Sequence, residues 1–302
     1  MTPNLQRRGL ERGPAAPVRL RLEFRPPLAW PALLAFLAAR AIPGVERIDG
    51  NAYRRTVSLG GKTGWLGVEP DPSRPALVAT VSSSLGGAVA PVVSRLRRLF
   101  DLDASPADVD GRLARDPALR RAVRATPGLR VPGAFDGFEL AVRAVLGQQV
   151  TVKGATTLAG RLAARFGAPA RTPLDGLERL FPTPARLAAA SRGEIAALGM
   201  PGARARALRH LARAVEAGLM LEPGAAVEET MATLAELPGF GDWTTQYVAM
   251  RALRWPDAFP AADLGVLRAL RARSAKAALA RAEAWRPWRA YATMYLWSGG
   301  DT

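Results

Sequence analysis

The chain has 302 residues and a formal net charge of +16, and its 49% hydrophobic and 23% charged residues supply enough apolar material for packed cores, which excludes global disorder. It contains no cysteine and one histidine, His210, so disulfides, zinc ribbons, iron–sulfur clusters, thiol nucleophiles and multi-histidine metal sites are all excluded. A balance this basic points to a polyanionic partner, and the length suggests two or three domains at about 150 residues each.

Residues 1–17 carry Arg7, Arg8, Arg12 and three prolines without an apolar stretch, and read as a disordered leader, not a signal peptide. The longest apolar run, residues 28–42, is interrupted by Pro31 and Arg40 and is too short to cross a bilayer, so a cytoplasmic, nucleoid-associated location is the default expectation. Residues 18–24 alternate apolar and charged side chains and predict a half-buried strand; residues 30–41 have helical spacing and stop at Pro43-Gly44. Residues 53–59 and 63–68 read as strands joined by a Gly60-Gly61 hairpin, residues 76–82 as a further strand, and residues 86–100 as an amphipathic helix. From Asp101 the strand patterns vanish. Helices are predicted over 117–125, 138–146, 152–166, 184–190, 192–197, 204–217, 227–235, 244–253, 264–273, 275–283 and 288–297, about ten in all, with short Pro/Gly turns between them. The expected fold is therefore α+β: a leader at 1–17, a small antiparallel α/β domain at 18–100, and an all-α region at 101–302.

Two turns are alike, Leu198-Gly199-Met200-Pro201-Gly202 and Leu237-Pro238-Gly239-Phe240-Gly241. The second joins two helices. Its glycines permit positive φ and close backbone approach, and the following helix presents free N–H groups that suit an anion such as a DNA phosphate; the same residues also fit an ordinary helix–helix turn. About twenty residues on, Asp263 directly precedes a helix. Taken alone it is a helix cap, but a carboxylate held there in a cleft could also sit under a sugar that develops positive charge. Taken by themselves, Trp243 and Tyr247, four apart on one helix, and Trp297 read as core residues.

The Pro-Gly hairpin with its downstream aspartate resembles the helix–hairpin–helix DNA glycosylase superfamily. Further collinear segments resemble its bacterial 3-methyladenine DNA glycosylase II (AlkA-type) branch. They are Arg25-Pro26-Pro27-Leu28-Ala29-Trp30, Phe135-Asp136-Gly137-Phe138-Glu139, Arg143-Ala144-Val145-Leu146-Gly147-Gln148-Gln149-Val150, Phe181-Pro182-Thr183-Pro184 and Trp285-Arg286-Pro287-Trp288. The resemblance spans residues 18–297 and implies two helical subdomains around a cleft. It implies that the protein flips alkylated purines such as 3-methyladenine or 7-methylguanine out of double-stranded DNA and hydrolyses their N-glycosidic bond, in base excision repair. Asp263 matches the catalytic aspartate, and Trp297, Tyr247, Trp243 and Phe36 match the aromatic walls of the base pocket. Gly239, Phe240, Gly241 and Thr244 would hold a phosphate. A sodium or potassium ion would sit on the carbonyls of Ala235, Leu237 and Phe240, with no cofactor required for the chemistry. Gln148 and Gln149 occupy the turn from which this branch inserts a wedge, with Gln149 where leucine is common. The three lysines, Lys62, Lys153 and Lys276, all lie outside 234–273, and Trp243 stands where relatives with lyase activity carry a lysine, so a monofunctional enzyme is implied. A monomer with no membrane partner is expected. The rival readings are a non-catalytic helix–hairpin–helix DNA-binding protein and a glycosylase for deaminated or oxidised bases; an aromatic, poorly hydrogen-bonding pocket favours charged alkylated bases over the latter.

Overall fold

The structure, a computed structural model, describes residues 16–299; most of the leader expected at 1–17 lies outside the described residues. It opens with β1 (Val18–Glu23) and α1 (Trp30–Ala38), followed by β2 (Glu46–Asp49), β3 (Ala52–Leu59), β4 (Lys62–Pro70) and β5 (Ala76–Val81). A short 3₁₀ turn (Ser83–Ala88) leads into α2 (Val89–Leu99). The five strands form one antiparallel sheet in the order β1-β5-β4-β3-β2. The β3–β4 register closes on the pair Leu59–Lys62, with Gly60 and Gly61 both at positive φ (+57° and +74°), the conformation that a two-residue hairpin matched to strand twist demands. β2 has no counterpart among the expected strands. It is a four-residue edge strand of sequence ERID, too short and too charged to show an alternating pattern.

The sheet buries Leu22, Tyr53, Val57, Leu66, Val68 and Leu77 against Trp30, Leu33 and Leu37 of α1 and Val92, Leu96 and Leu99 of α2. Phe100, Leu102 and Phe135, from the chain that follows, complete this core. Each large apolar side chain fully withdrawn from water contributes about 1.5–3 kcal/mol.

The rest is helical: α3 (Pro106–Leu113), α4 (Pro117–Ala125), α5 (Gly137–Leu146), α6 (Val152–Phe166), α7 (Pro184–Ala189), α8 (Arg192–Ala196), α9 (Gly202–Glu216), α10 (Val227–Glu236), α11 (Asp242–Arg251), α12 (Leu264–Leu270), α13 (Ala275–Ala282) and α14 (Arg289–Ser298). The α+β expectation is borne out. Only α3 has no predicted counterpart among these helices; Gly111 and two aspartates dilute its pattern, although Val109 and Leu113, one turn apart, are buried. Side-chain caps start many of the others: Asp116 for α4, Asp136 for α5, Thr151 for α6, Ser191 with Glu194 as a capping box for α8, and Ser274 for α13.

Two apolar clusters divide these helices. One joins Val145 of α5, Leu162 of α6, Leu187 of α7, Leu208 of α9 and Leu234 of α10. The other joins Leu113 of α3, Leu119 of α4, Val266 of α12, Ala278 of α13 and Tyr295 of α14. α11 belongs to both, with Val248 in the first and Met250 in the second, and so forms the seam between them. Among the described residues no helix is long and apolar enough to cross a membrane.

Candidate active site and DNA interface

Asp263 lies at that seam. Its backbone is extended (φ −64°, ψ 130°), and its Oδ1 accepts the Val266 N–H at 3.0 Å, which caps α12. Capping is only part of its environment. The Trp297 indole Nε1–H donates to Oδ1 at 2.8 Å, and the Trp243 indole Nε1–H donates to Oδ2 at 2.9 Å. The carboxylate is half-buried and meets donors from α11, α12 and α14 at once.

The four aromatic residues singled out in the sequence come together around it. Trp243 stacks on Tyr247, with ring centroids 5.2 Å apart and planes 18° from parallel. Trp297 lies 6.4 Å from both Tyr247 and Phe36, nearly parallel to the latter at 13°. Phe36 reaches the site from α1, so the sheet domain supplies one wall of a recess that is otherwise helical.

The recess is more polar than the sequence suggests. The Arg40 guanidinium lies 3.7 Å from the Phe36 ring centroid and the Arg251 guanidinium 5.0 Å from it. Arg251 also donates to the Tyr247 hydroxyl at 2.6 Å, and its Nε and Nη2 donate to the carbonyls of Pro132 and Gly133. Burial pushes the Tyr247 phenol up, but the adjacent Arg251 and Arg40 outweigh it and hold it below the ordinary tyrosine value. Burial in turn lowers Arg40, an effect opposed by Tyr247. The expectation of a poorly hydrogen-bonding pocket is therefore corrected at its Phe36–Tyr247 side. No guanidinium lies over Trp297 among the described residues, so its ring remains the freer electron-rich surface. Sequence reasoning missed Arg40 and Arg251. The signal was the four-residue spacing Phe36–Arg40 and Tyr247–Arg251, lost in a chain where all but three of 42 basic residues are arginine.

The hairpin joins α10 to α11. Gly239 has φ +91°, and a Cβ there would lie 2.8 Å from the Cβ of Ala207 on α9, so both conformation and space demand glycine. Phe240 is buried beneath the turn, and Thr244 is buried one turn into α11. Gly241 precedes α11 with no side-chain cap, so no side chain competes for the helix's first N–H groups.

Gln149 and Gln148 diverge. Gln149 is exposed at φ +54°, next to Val150, which is also exposed. Gln148 turns back, and its amide donates to the Gly239 carbonyl at 2.7 Å and to Thr244 Oγ1 at 2.9 Å. Arg204, just inside α9, donates to the Gln148 carbonyl. The projecting loop is thus tied both to the hairpin and to α9, the helix that follows the earlier Pro-Gly turn.

Comparison with known proteins agrees with this architecture. Residues 19–136 match the AlkA N-terminal domain, and residues 142–289 match the family described as HhH-GPD superfamily base excision DNA repair protein. The chain is 40% identical over 280 residues to the DNA-3-methyladenine glycosylase 2 of Escherichia coli, covering 91% of this chain and 95% of that one. It is also 40% identical over 291 residues to a probable bifunctional transcriptional activator/DNA repair enzyme AlkA of Mycobacterium tuberculosis, but spans only 57% of that relative's length. The fold is shared with a 3-methyladenine DNA glycosylase from Archaeoglobus fulgidus, with a TM-score of 0.80 at 23% identity over 92% of this chain and 97% of that one. The chain therefore belongs to the helix–hairpin–helix base excision DNA repair superfamily and, within it, to the AlkA-type DNA-3-methyladenine glycosylase 2 family.

Proposed function

We propose that this chain is a monofunctional DNA glycosylase that releases alkylated purines, such as 3-methyladenine or 7-methylguanine, from double-stranded DNA. The observation that carries the reading is the carboxylate of Asp263, held at the seam of two helical subdomains among Trp243, Tyr247 and Trp297. A purine alkylated on a ring nitrogen carries positive charge. When its bond to C1′ breaks, the electron pair goes to the base, which leaves neutral and needs no proton donor. The sugar is left with oxocarbenium character, and the Asp263 carboxylate stabilises that charge until water adds at C1′ and gives up its proton. The Trp297 ring offers a face to the cationic base before it departs.

The hairpin, the uncapped start of α11 and the Gln149–Val150 loop would grip the duplex, the loop entering the gap left by the flipped nucleotide. A monovalent cation on the carbonyls of Ala235, Leu237 and Phe240 fits the turn in part. The Leu237 carbonyl already accepts the Phe240 N–H at 3.0 Å, whereas no backbone donor outside the helices reaches the other two among the described residues. Such an ion would add positive charge beside a bound phosphate. Trp243, in place of a lysine, supports hydrolysis without a lyase step, and a single active site served by one chain supports a monomer.

The test is base release from purine-methylated duplex. Wild-type protein is expected to free methylated purines, and Asp263→Asn to bind duplex but free none. Tight binding by both proteins with no base released by either would instead support a non-catalytic DNA-binding protein or a different lesion.

A further inference from the structure

The two tryptophans matched to the base pocket present more than ring faces. A capping hydrogen bond from Val266 N–H restrains only one oxygen of Asp263, and a carboxylate's last torsion is otherwise broad. The Trp297 N–H on Oδ1 and the Trp243 N–H on Oδ2 come from two other helices, so rotation of the carboxylate would break bonds to three elements together. Of roughly four acceptor positions on a carboxylate, three are filled, which leaves about one for water or the sugar. Gly265 makes this possible: a Cβ at that position would lie 3.0 Å from both Asp263 Oδ1 and Trp297 Cδ1, inside the Trp297–Asp263 contact.

We infer that Trp243 and Trp297 are positioning residues, whose indole N–H groups fix the Asp263 carboxylate in the orientation that faces the reacting sugar. The inference rests on the proposed glycosylase reading of the same site. It carries a consequence for recognition. An indole has one N–H and no acceptor, and both are committed to Asp263, so neither tryptophan can hydrogen-bond a flipped base. Their contribution to base selection is confined to stacking.

Trp243 gives the cleaner test, because Trp243→Phe keeps an aromatic ring against Tyr247 while removing the donor along with the second ring of the indole. With the full chain and a duplex carrying one 7-methylguanine, the single-turnover rate of Trp243→Phe is expected to fall roughly ten- to a hundred-fold, the range expected for a lost hydrogen bond to a charged group. Affinity for a duplex with a neutral tetrahydrofuran abasic site and the thermal melting temperature are expected to stay unchanged. A duplex with a cationic pyrrolidine in place of one sugar provides a readout that needs no turnover: the wild type is expected to prefer it over tetrahydrofuran, and Trp243→Phe to lose most of that preference. An unchanged rate and an unchanged preference would overturn the inference, as would a rate loss matched by an equal loss of tetrahydrofuran affinity. If the wild type releases no base, the glycosylase reading fails, and the pyrrolidine comparison still decides whether Trp243 orients the carboxylate.

Discussion

Asp263 and Tyr247 are both polar groups whose behaviour is set by neighbouring side chains, most of them distant in sequence. For Asp263 these are two indoles, 20 residues before it and 34 after it. For Tyr247 they are Arg251 on its own helix and Arg40 from the end of α1, and they hold its phenol low. The other three tyrosines lie in the opposite direction. Burial raises Tyr53, helped by Glu46; Tyr291, helped by Asp101; and Tyr295, helped by a hydrogen bond to Asp110. Alkaline titration followed by ultraviolet absorbance should therefore show one tyrosine ionising before the ordinary value of about 10, ahead of the remaining three. Arg251→Met should move that early phase upward, and its survival in Tyr247→Phe would refute the assignment. Because the folded value is depressed, the linked stabilisation is full above the unfolded value and disappears as pH falls through the folded one.

The hairpin distinguishes two glycines that look equivalent in the sequence. At Gly239 the backbone has φ +91° and Ala207 blocks a Cβ, whereas at Gly241 φ is −85° and nothing lies within 4 Å of a Cβ. Gly239→Ala should destabilise the fold by about 1–3 kcal/mol in urea denaturation and weaken duplex binding, because strain in the turn displaces the Gly239 carbonyl that Gln148 holds. Gly241→Ala should leave stability close to that of the wild type. Equal effects of the two substitutions in the same titrations would show that the turn's geometry is not what the glycine serves. The element that integrates the site is α11, which starts at the hairpin, carries Trp243 and Tyr247, and contributes to both helical cores.

Across the whole molecule, the sheet is locked to the helices by buried charge. Arg55 of β3 donates to Glu139 of α5 at 2.6 Å, and Arg143 of α5 donates to Glu46 of β2 at 2.8 Å. The Tyr53 hydroxyl closes on Glu46 at 2.5 Å, and Arg143 also reaches the Arg40 carbonyl beside the recess. Burial opposes ionisation of Glu46, but Arg143 and Arg55 overcome it and hold the carboxyl below its usual value. That share of stability is present above the unfolded glutamate value of about 4.3 and is lost as pH falls through the lower folded value. Arg55→Met removes the 2.6 Å partner of Glu139 and leaves Arg143 as the one remaining guanidinium for two buried carboxylates, and should cost about 3–5 kcal/mol in urea unfolding. Pairing it with Glu139→Gln should recover part of the loss; strictly additive losses would show that the two residues are not coupled.

Much of this protein is legible in its sequence because the signals are local. Alternation marks four of the five strands, Pro/Gly turns and caps mark nearly all the helices, and collinear motifs around the hairpin and Asp263 indicate the family. Sequence also identifies the four aromatic residues that gather around Asp263, since the resemblance supplies their pairing even though their own spacing does not. It does not give β2 or α3, whose patterns are short or diluted, nor Arg40 and Arg251 among so many arginines. The direction of the Trp243 and Trp297 N–H groups, the inward turn of Gln148 and the different demands on Gly239 and Gly241 depend on which elements come within about 3 Å of one another. Composition and periodicity specify the elements, because each follows from neighbours along the chain. Hydrogen-bond partners across the cleft are decided only when packed helices bring distant residues into contact.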